Sequence, residues 1–566
     1  KNKLQNEWNQ EQHYHNFVVR NMRHGKSMQA IQKLYTGRND ALGYIELPEV
    51  IQSSRKDFVL HPAILDGALQ TVIGVESAVL SDHNKIFLPF EIQKVTLYDM
   101  LPNKLYSYAV KTAEQEFTVW LTNLSGKVVA KLAGLRMRSV SMNIETKAKV
   151  NYLIPNWIPY DLEKPKGLLK KFLLIDAKQL KYYEAFSDGT ETRKLIAEGA
   201  EQCHRLSLEA YDYIVYFADS DDKKEVCLEH GVYQFVTFLK EKLINTRNPV
   251  YLMYLYDRTS PYVEVYEAVS SLCKSVMLEN ANLVITTCGY EQPVSLYLIG
   301  KELSQRKKNV IQYIDKKRYI WQVEKQNVQE PDTGTVWKRN GVYVLTGGNG
   351  KVGSSIAHYL VSRYQAKVIL LGRSIKDSYS ETDAIESYGV DICDIEKLRA
   401  VCNQIKNRNG KITGVLHCAG IHKDSFLRNK SLENFQGVIC AKVEGTESLM
   451  NCMEECEADF YVFFSSTTSI SGTPGQCDYA YANGYLNAYA NQLQKAGKNV
   501  ISICWSFWEN GGMQISAQDK QFMKETVGME GITIQEGLDM LAISLKEGKN
   551  TIIPLKGNAD KFLQYL

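Results

Sequence analysis

The sequence predicts an α/β protein whose larger part is a doubly wound parallel sheet, on three observations. Apolar strand-like runs alternate with helical patterns through most of the 566-residue chain, as in a sheet covered by helices on both faces. One run, Val342 to Leu345, leads into Thr346-Gly347-Gly348-Asn349-Gly350-Lys351-Val352-Gly353 and then a helical SSIAHYLVSRY. Another, Phe460 to Phe464, ends in Ser465-Ser466; a Gly/Pro loop follows, then a helix with Tyr479 and Asn483 four residues apart on one face.

Composition sets the bounds. A chain of 566 residues exceeds one core, so roughly three or four units are expected. Hydrophobic content of 44% and charged content of 23% are those of an ordinary globular protein. Net charge is +3 with no concentrated basic block, which argues against nucleic acid as a partner. No apolar run reaches transmembrane length and the N-terminal stretch is polar, so neither a membrane span nor a signal peptide is expected. The first residue is Lys rather than Met, which suggests an excised piece of something longer. The 12 Cys are scattered with no C-x-x-C pair, and Cys452 and Cys456 have three residues between them. Such thiols read as reduced and cytoplasmic, with neither a disulfide framework nor a metal site.

The N-terminal unit spans residues 1–142. Its first dozen residues are polar and expected to fray. Strands are expected at Gly43 to Leu47, Val95 to Tyr98, Leu105 to Lys111, Phe117 to Thr122 and Val128 to Met137. From His61 to Val75, HPAILDGALQTVIGV has the spacing of a helix buried along one face, with Asp66 and Gln70 one turn apart. An Asp in such surroundings is a candidate acid of raised pKa. This segment resembles the second half of a polyketide synthase dehydratase, where an H-P-x-x-x-D-x-x-x-Q helix supplies the acidic partner. LPFEIQKVTLYD (Leu88 to Asp99) resembles it too, as does His24-Gly25-Lys26-Ser27-Met28-Gln29, where that family more often has Tyr-Gly-x-x-Phe-Gln. The resemblance implies an α+β hot-dog unit, the second of two. The family's catalytic His lies in H-x-x-x-G-x-x-x-x-P, and no such motif precedes Asp66. Dehydration needs both a base and an acid, so a structural or vestigial role is expected. An active dehydratase cut in two, and hence a bifunctional fragment, is the alternative.

The middle unit, residues 151–330, opens with YLIPNWIPY, whose prolines suit an edge strand. Parallel strands are expected at Phe172 to Ile175, Tyr213 to Phe217, Val250 to Tyr254 and Leu283 to Thr286, with a helix at Gly231 to Leu243. The first strand lacks a glycine turn after it, so no cofactor is expected here.

The C-terminal unit, residues 331–566, carries the chemistry. Gly348, Gly350 and Gly353 form G-x-G-x-x-G between a strand and a helix, the context in which backbone N–H groups hold a pyrophosphate. Glycines can also simply make a tight turn. The strand from Lys367 ends in Gly372-Arg373-Ser374, twenty residues beyond Gly353 at Arg373. An acid there would favour NAD, whereas Arg with Ser favours the 2′-phosphate of NADPH. Asp391 and Ile392 are candidates for the adenine, although the gap from Ser374 is short. Ala419-Gly420 follow the strand from Gly414, and small residues there allow close approach of a ribose. Lys442 lies between that strand and the Ser466/Tyr479 stretch, where an ammonium could lower a Tyr pKa. The bland reading, that Tyr479 merely packs in a chain with 34 Tyr, is outweighed by this set. Residues 514–531 are expected to form a lid.

TGGxGxxG, GRS, HxAG, AKVxG, FSS and YxxxN, followed by W-x-x-W-x-x-x-G-M, occur in order. Residues 151–566 resemble a ketoreductase of a modular type I polyketide synthase, in the short-chain dehydrogenase/reductase superfamily. Ordinary members have Y-x-x-x-K; here Asn483 follows Tyr479 and the Lys stands at 442, the ketoreductase arrangement. The resemblance implies a Rossmann-like catalytic subdomain braced by a truncated Rossmann-like structural subdomain. It implies NADPH as cofactor and, as partners, an acyl carrier protein bearing a phosphopantetheine-bound ketoacyl chain and other domains of the same synthase. Ser466 and Tyr479 would bind the keto oxygen, Tyr479 would donate the proton, and Lys442 and Asn483 would keep Tyr479 acidic. Thr346, Gly348, Asn349, Gly350, Val352, Gly353, Arg373, Ser374, Asp391, Ile392, Ala419 and Gly420 would line the cofactor. Of the L-D-D triplet that marks one stereochemical type only Asp424 remains, in His422-Lys423-Asp424, and Ser471 occupies the place of the other type's Trp. This implies the D-hydroxy, B-type alcohol. The competing readings are a cofactor-binding domain that epimerises or is inert, and a docking scaffold, the latter for residues 1–142.

Overall fold

The computed structural model describes residues 6–19, 24–75, 85–113, 116–141, 150–162, 170–186, 193–198, 206–218, 220–307, 309–328, 336–374, 384–509, 511 and 515–566. They belong to two compact units, Lys1–Lys147 and Ala148–Leu566.

In the first unit seven antiparallel strands form one sheet, in the order Asn6–Asn9, Ile31–Thr36, Asp40–Glu46, Lys104–Ala113, Glu116–Thr122, Val128–Ser141, Lys85–Leu97. The expected fraying is corrected for residues 6–12, while residues 1–5 lie outside the described ones. Asn6–Asn9 pairs with Ile31–Thr36, and a helix follows at Gln10–Val19. Asn9 and Gln12 start it reciprocally: each side-chain oxygen accepts the other's backbone N–H, at 2.9 and 3.0 Å. His13, Tyr14 and Phe17 are buried, so a polar composition conceals a packed face. The segment read as one helix from His61 is Pro62–Gln70 followed by a tighter turn, Thr71–Gly74. His61 Nδ1 accepts the Ala63 N–H, and Pro62 takes a first-turn position where a missing N–H costs nothing. The helix buries Ala63, Ile64 and Ala68 in a core with Leu34, Ile45 and Leu105.

Among the described residues, the second unit is built on one continuous sheet of sixteen strands. Seven parallel strands form its C-terminal half, in the order Ile385–Gly389, Lys367–Gly372, Val342–Thr346, Gly414–His417, Phe460–Ser466, Val500–Trp505, Thr551–Lys556. This is the doubly wound, Rossmann-like layout. The other half repeats it in reduced form, with Lys171–Asp176, Tyr213–Ala218, Val250–Asp257, Leu283–Tyr290 and Val310–Ile314 parallel.

Val150–Pro159, expected at an edge, instead joins the two halves. It runs antiparallel to Lys317–Gln326 on one side and to Thr551–Lys556 on the other. Only Tyr152 and Leu153 are paired on both sides, so Pro155 and Pro159 fall where one side needs no N–H. The helix expected at Gly231 starts earlier, at Lys224, and reaches Leu243 through two wide turns. Residues 515–531, within the expected lid, carry the helix Ala517–Phe522 and the turn Met523–Val527.

One contact fixes the two halves face to face. The helix Cys477–Lys495 lies on Val269–Glu279, with Tyr481, Ala482 and Tyr485 in one core with Tyr254, Tyr266 and Leu272. A Cβ at Gly484 would lie 2.5 Å from Ser271 Oγ and 2.8 Å from its Cβ, so the approach requires glycine there. In a free helix Gly→Ala gains about 1 kcal/mol of propensity. Gly484→Ala should reverse that sign and lower the denaturation midpoint, because overpacking costs about 1–3 kcal/mol. A raised midpoint would contradict this packing.

Candidate active site

The strand order of the C-terminal half reverses at Val342–Thr346, between Lys367–Gly372 and Gly414–His417. Ligand crevices open at such points, beyond the strands' C-terminal ends. Gly347 turns there with φ of +66°, and a Cβ on it would lie 2.9 Å from the Ala419 backbone. A Cβ on Gly353 would lie 2.8 Å from the Gly347 oxygen. Bare backbone is what brings loop, helix and neighbouring strand this close.

The helix Lys351–Tyr364 begins at Gly350 with no side chain capping its first turn, and Val352 is partly buried in that turn. Its leading amides therefore face the crevice, a fit for a pyrophosphate. Thr346 is buried and holds the rim together: its Oγ1 pairs with His417 Nδ1 at 2.7 Å and accepts the Ala419 N–H at 3.2 Å. Burial, then Lys442, pushes His417 down to about 3, so it is a neutral hydrogen-bonding partner. Gly420 lies against the Lys442 stem, which a Cβ would meet at 2.6 Å. Asn349 Nδ2 donates to the Ser374 carbonyl, joining the glycine loop to the end of the next strand. Arg373 and Ser374 are exposed there. Ile392 is buried, whereas Asp391 is exposed and its Oδ1 accepts the Cys393 N–H at 3.0 Å. The short gap before Asp391 still leaves room for a strand, Ile385–Gly389; residues 375–383 lie outside the described ones.

Ser466 ends the strand Phe460–Ser466, and Tyr479 stands in the first turn of Cys477–Lys495. Both are partly exposed, while Lys442 and Asn483 behind them are buried. Lys442 closes a 3-10 turn, Cys440–Lys442, and its ammonium donates to the Phe464 carbonyl at 2.6 Å and to Asn483 Oδ1 at 2.9 Å. It also lies 5.8 Å from the Tyr479 ring centre. Burial pushes Lys442 down to about 8. The expectation that Lys442 keeps the phenol acidic meets a different balance. Burial pushes Tyr479 up, Asn483 and Ser466 pull it back by hydrogen bonding, and Asp424 adds to the rise.

Several supporting residues carry no local signal in the sequence. Lys430 and Asp478 form an ion pair at 2.7 Å with both side chains 1% exposed, and the Lys430 ammonium also donates to the Lys423 carbonyl. Gln476 donates to Asp424 at 2.9 Å. Glu279, from the structural half, accepts the N–H groups of Leu427 and Gly475. Together they tie the 422–427 loop to the start of the Tyr479 helix. Lys423 apart, these partners are 48 to 196 positions from one another, beyond any spacing rule. In the first unit, Gln70 donates to Asp66 at 2.7 Å and meets His13 Nε2 through its own oxygen at 3.2 Å.

Comparison with known proteins agrees with this geometry. Residues 341–510 match the family described as KR domain, and residues 2–147 the polyketide synthase dehydratase N-terminal domain. Polyketide synthase PksN of Bacillus subtilis (strain 168) is 27% identical over 585 residues, covering 96% of this chain and 10% of that protein. PksL of the same organism is 25% identical, covering 98% of this chain and 12% of that protein. The chain thus spans about a tenth of the length of these relatives. A ketoreductase domain from the bacillaene assembly line superposes with a TM-score of 0.60 at 22% identity, covering 74% of this chain and 99% of that one. An N-terminal ketoreductase from the macrolactin assembly line gives 0.60 at 24% identity, covering 75% and 95%. At these identities the two structures establish the shared fold. By the two matched families and the likeness to PksN and PksL along nearly all of its own length, this chain is similar to a stretch of bacterial modular polyketide synthases in which a dehydratase-like domain precedes a ketoreductase domain.

Proposed function

We propose that this chain reduces a ketoacyl thioester, a β-ketoacyl one in particular, to the hydroxyacyl thioester with NADPH. The acyl chain would arrive on the phosphopantetheine of an acyl carrier protein, with other domains of the same synthase as further partners and the cytoplasm as the setting. The observation that carries this reading is the pairing of two reachable hydroxyls, Ser466 and Tyr479, with two buried supports, Lys442 and Asn483, beside an open glycine cradle.

NADPH, when bound, supplies the hydride. Gly348, Asn349, Gly350, Val352 and Gly353 would hold its pyrophosphate, with Thr346, Ala419 and Gly420 beneath. Arg373 and Ser374, where an acid would select NAD, favour the 2′-phosphate. Asp391 and Ile392 would border the adenine. Ser466 and the Tyr479 phenol would donate to the keto oxygen, where negative charge develops as the carbonyl carbon is reduced. Tyr479, held protonated by its burial, would pass its proton to that oxygen. The buried Lys442 ammonium would offset the charge left on the phenolate, oriented by Asn483 and the Phe464 carbonyl. Asp424, fixed by Gln476 beside Tyr479, supports the D-hydroxy product as the last remnant of its triplet. For the dehydratase-like unit a structural role is favoured, since no H-x-x-x-G-x-x-x-x-P motif precedes Asp66 to supply the base that dehydration needs.

Loss of NADPH absorbance with a β-ketoacyl thioester tests the reading. Tyr479→Phe should lower the rate by about 10²–10⁴-fold and leave NADPH binding unchanged. Wild type that binds NADPH and oxidises none of it would overturn the assignment. The pH profile supplies a second check. Lys442 keeps its proton below about 8, against an ordinary value of 10.5, so reduction should fall as pH rises through 8. Stability moves oppositely: between those two values the unfolded lysine binds more protons than the folded one, so this site's contribution rises with pH. A rate that climbs through pH 8 would remove Lys442 from this role.

A further inference from the structure

The loop that follows Ile385–Gly389 and the turn that carries Lys442 meet at two thiols. Cys393 Sγ and Cys440 Sγ are 2.9 Å apart, on residues 47 positions apart in the chain. The Glu444 carboxylate, at the start of Glu444–Met453, joins them, and the three ligand atoms lie within 4.8 Å of one another. Gly445 permits the approach: a Cβ there would lie 2.8 Å from the Ile392 side chain and 3.5 Å from Cys393 Sγ. Both thiols are free and partly exposed, and Glu444 is exposed, so an ion has a path from solvent.

We propose that Cys393, Cys440 and Glu444 form a binding site for a soft divalent cation of the zinc class. Two thiolates and a carboxylate select such an ion over magnesium or calcium, which prefer oxygen alone. Tetrahedral coordination at about 2.3 Å per thiolate needs the sulfurs roughly 3.8 Å apart, a spreading of under about 1 Å. On binding, two thiols release their protons to solvent and the carboxylate is already ionised, so the complex carries a net charge of −1 and leaves a fourth position for water. The ion would tie the segment after Ile392 to the segment before Lys442. This site stands on its own geometry and does not depend on the reduction proposed above.

Cadmium alone, added to the full chain kept reduced by a phosphine, is the probe, read by its thiolate charge-transfer absorption. One equivalent should saturate the band. Cys393→Ser and Cys440→Ser should each abolish it, Glu444→Gln should weaken binding, and Cys402→Ser should leave it intact. Because Glu444 is exposed, its variant separates loss of a ligand from loss of the fold. No band in wild type would overturn the site, as would a band undiminished in both cysteine variants. A Cys393–Cys440 disulfide found by mass spectrometry after air oxidation, with no cadmium uptake by the reduced chain, would make the pair a redox couple and equally overturn it.

Discussion

The arrangement of Ser466, Tyr479, Lys442 and Asn483 depends on the contact between Cys477–Lys495 and Val269–Glu279. Tyr479 and Asn483 ride on the first helix, and its other face is set by the second through the Gly484–Ser271 approach. Tyr481 donates to the Val265 carbonyl at 3.0 Å and Ser271 to the Ser469 carbonyl at 2.8 Å, so both ends of the helix–loop unit are pinned. The structural half is therefore a brace for Tyr479. Glu279, at the end of its helix, extends the brace to the loops before and beside the phenol.

Burial has two consequences here. It makes Lys442 expensive as an ammonium, which is why its pKa falls, and it makes Tyr479 reluctant to ionise, which is why its pKa rises. Both effects suit a proton donor that should release its proton only when an acceptor oxygen arrives. The buried Lys430–Asp478 pair is a different device. Its desolvation is offset by mutual charge and by the Lys423 carbonyl, and it fixes where the helix starts. A buried pair is a poor source of net stability but a strict one of geometry.

Those parts of the candidate site that are local in the chain are legible in the sequence. The glycine loop sits between a strand and a helix, and Tyr479 and Asn483 share a helical face by spacing alone. Lys442 is legible from its place between the Gly414 strand and the Ser466/Tyr479 stretch, whereas the 3-10 turn that carries it leaves no pattern. What stayed hidden is what depends on distant pairing. The prolines of Val150–Pro159 have the pattern of an edge strand because they sit at its singly paired end, which only the pairing on both sides reveals. Asn6–Asn9 and its helix have a polar sequence and gain their order from Ile31–Thr36, a partner that local composition does not reveal, and from the Asn9/Gln12 start. Glu279, Lys430 and Asp478 offer no spacing to read, and neither does the Cys393–Cys440 pair.

Under the proposed function, Tyr479 protonates a keto oxygen while hydride reaches the carbon that bears it. The most direct measurement uses NADPH deuterated at the transferred position with a ketoacyl thioester, followed by mass analysis of the product. Wild type should place one deuterium on the carbinol carbon, and Tyr479→Phe should place almost none in the same time while binding the cofactor equally well. Deuterium transfer undiminished in Tyr479→Phe would contradict the role given to that phenol.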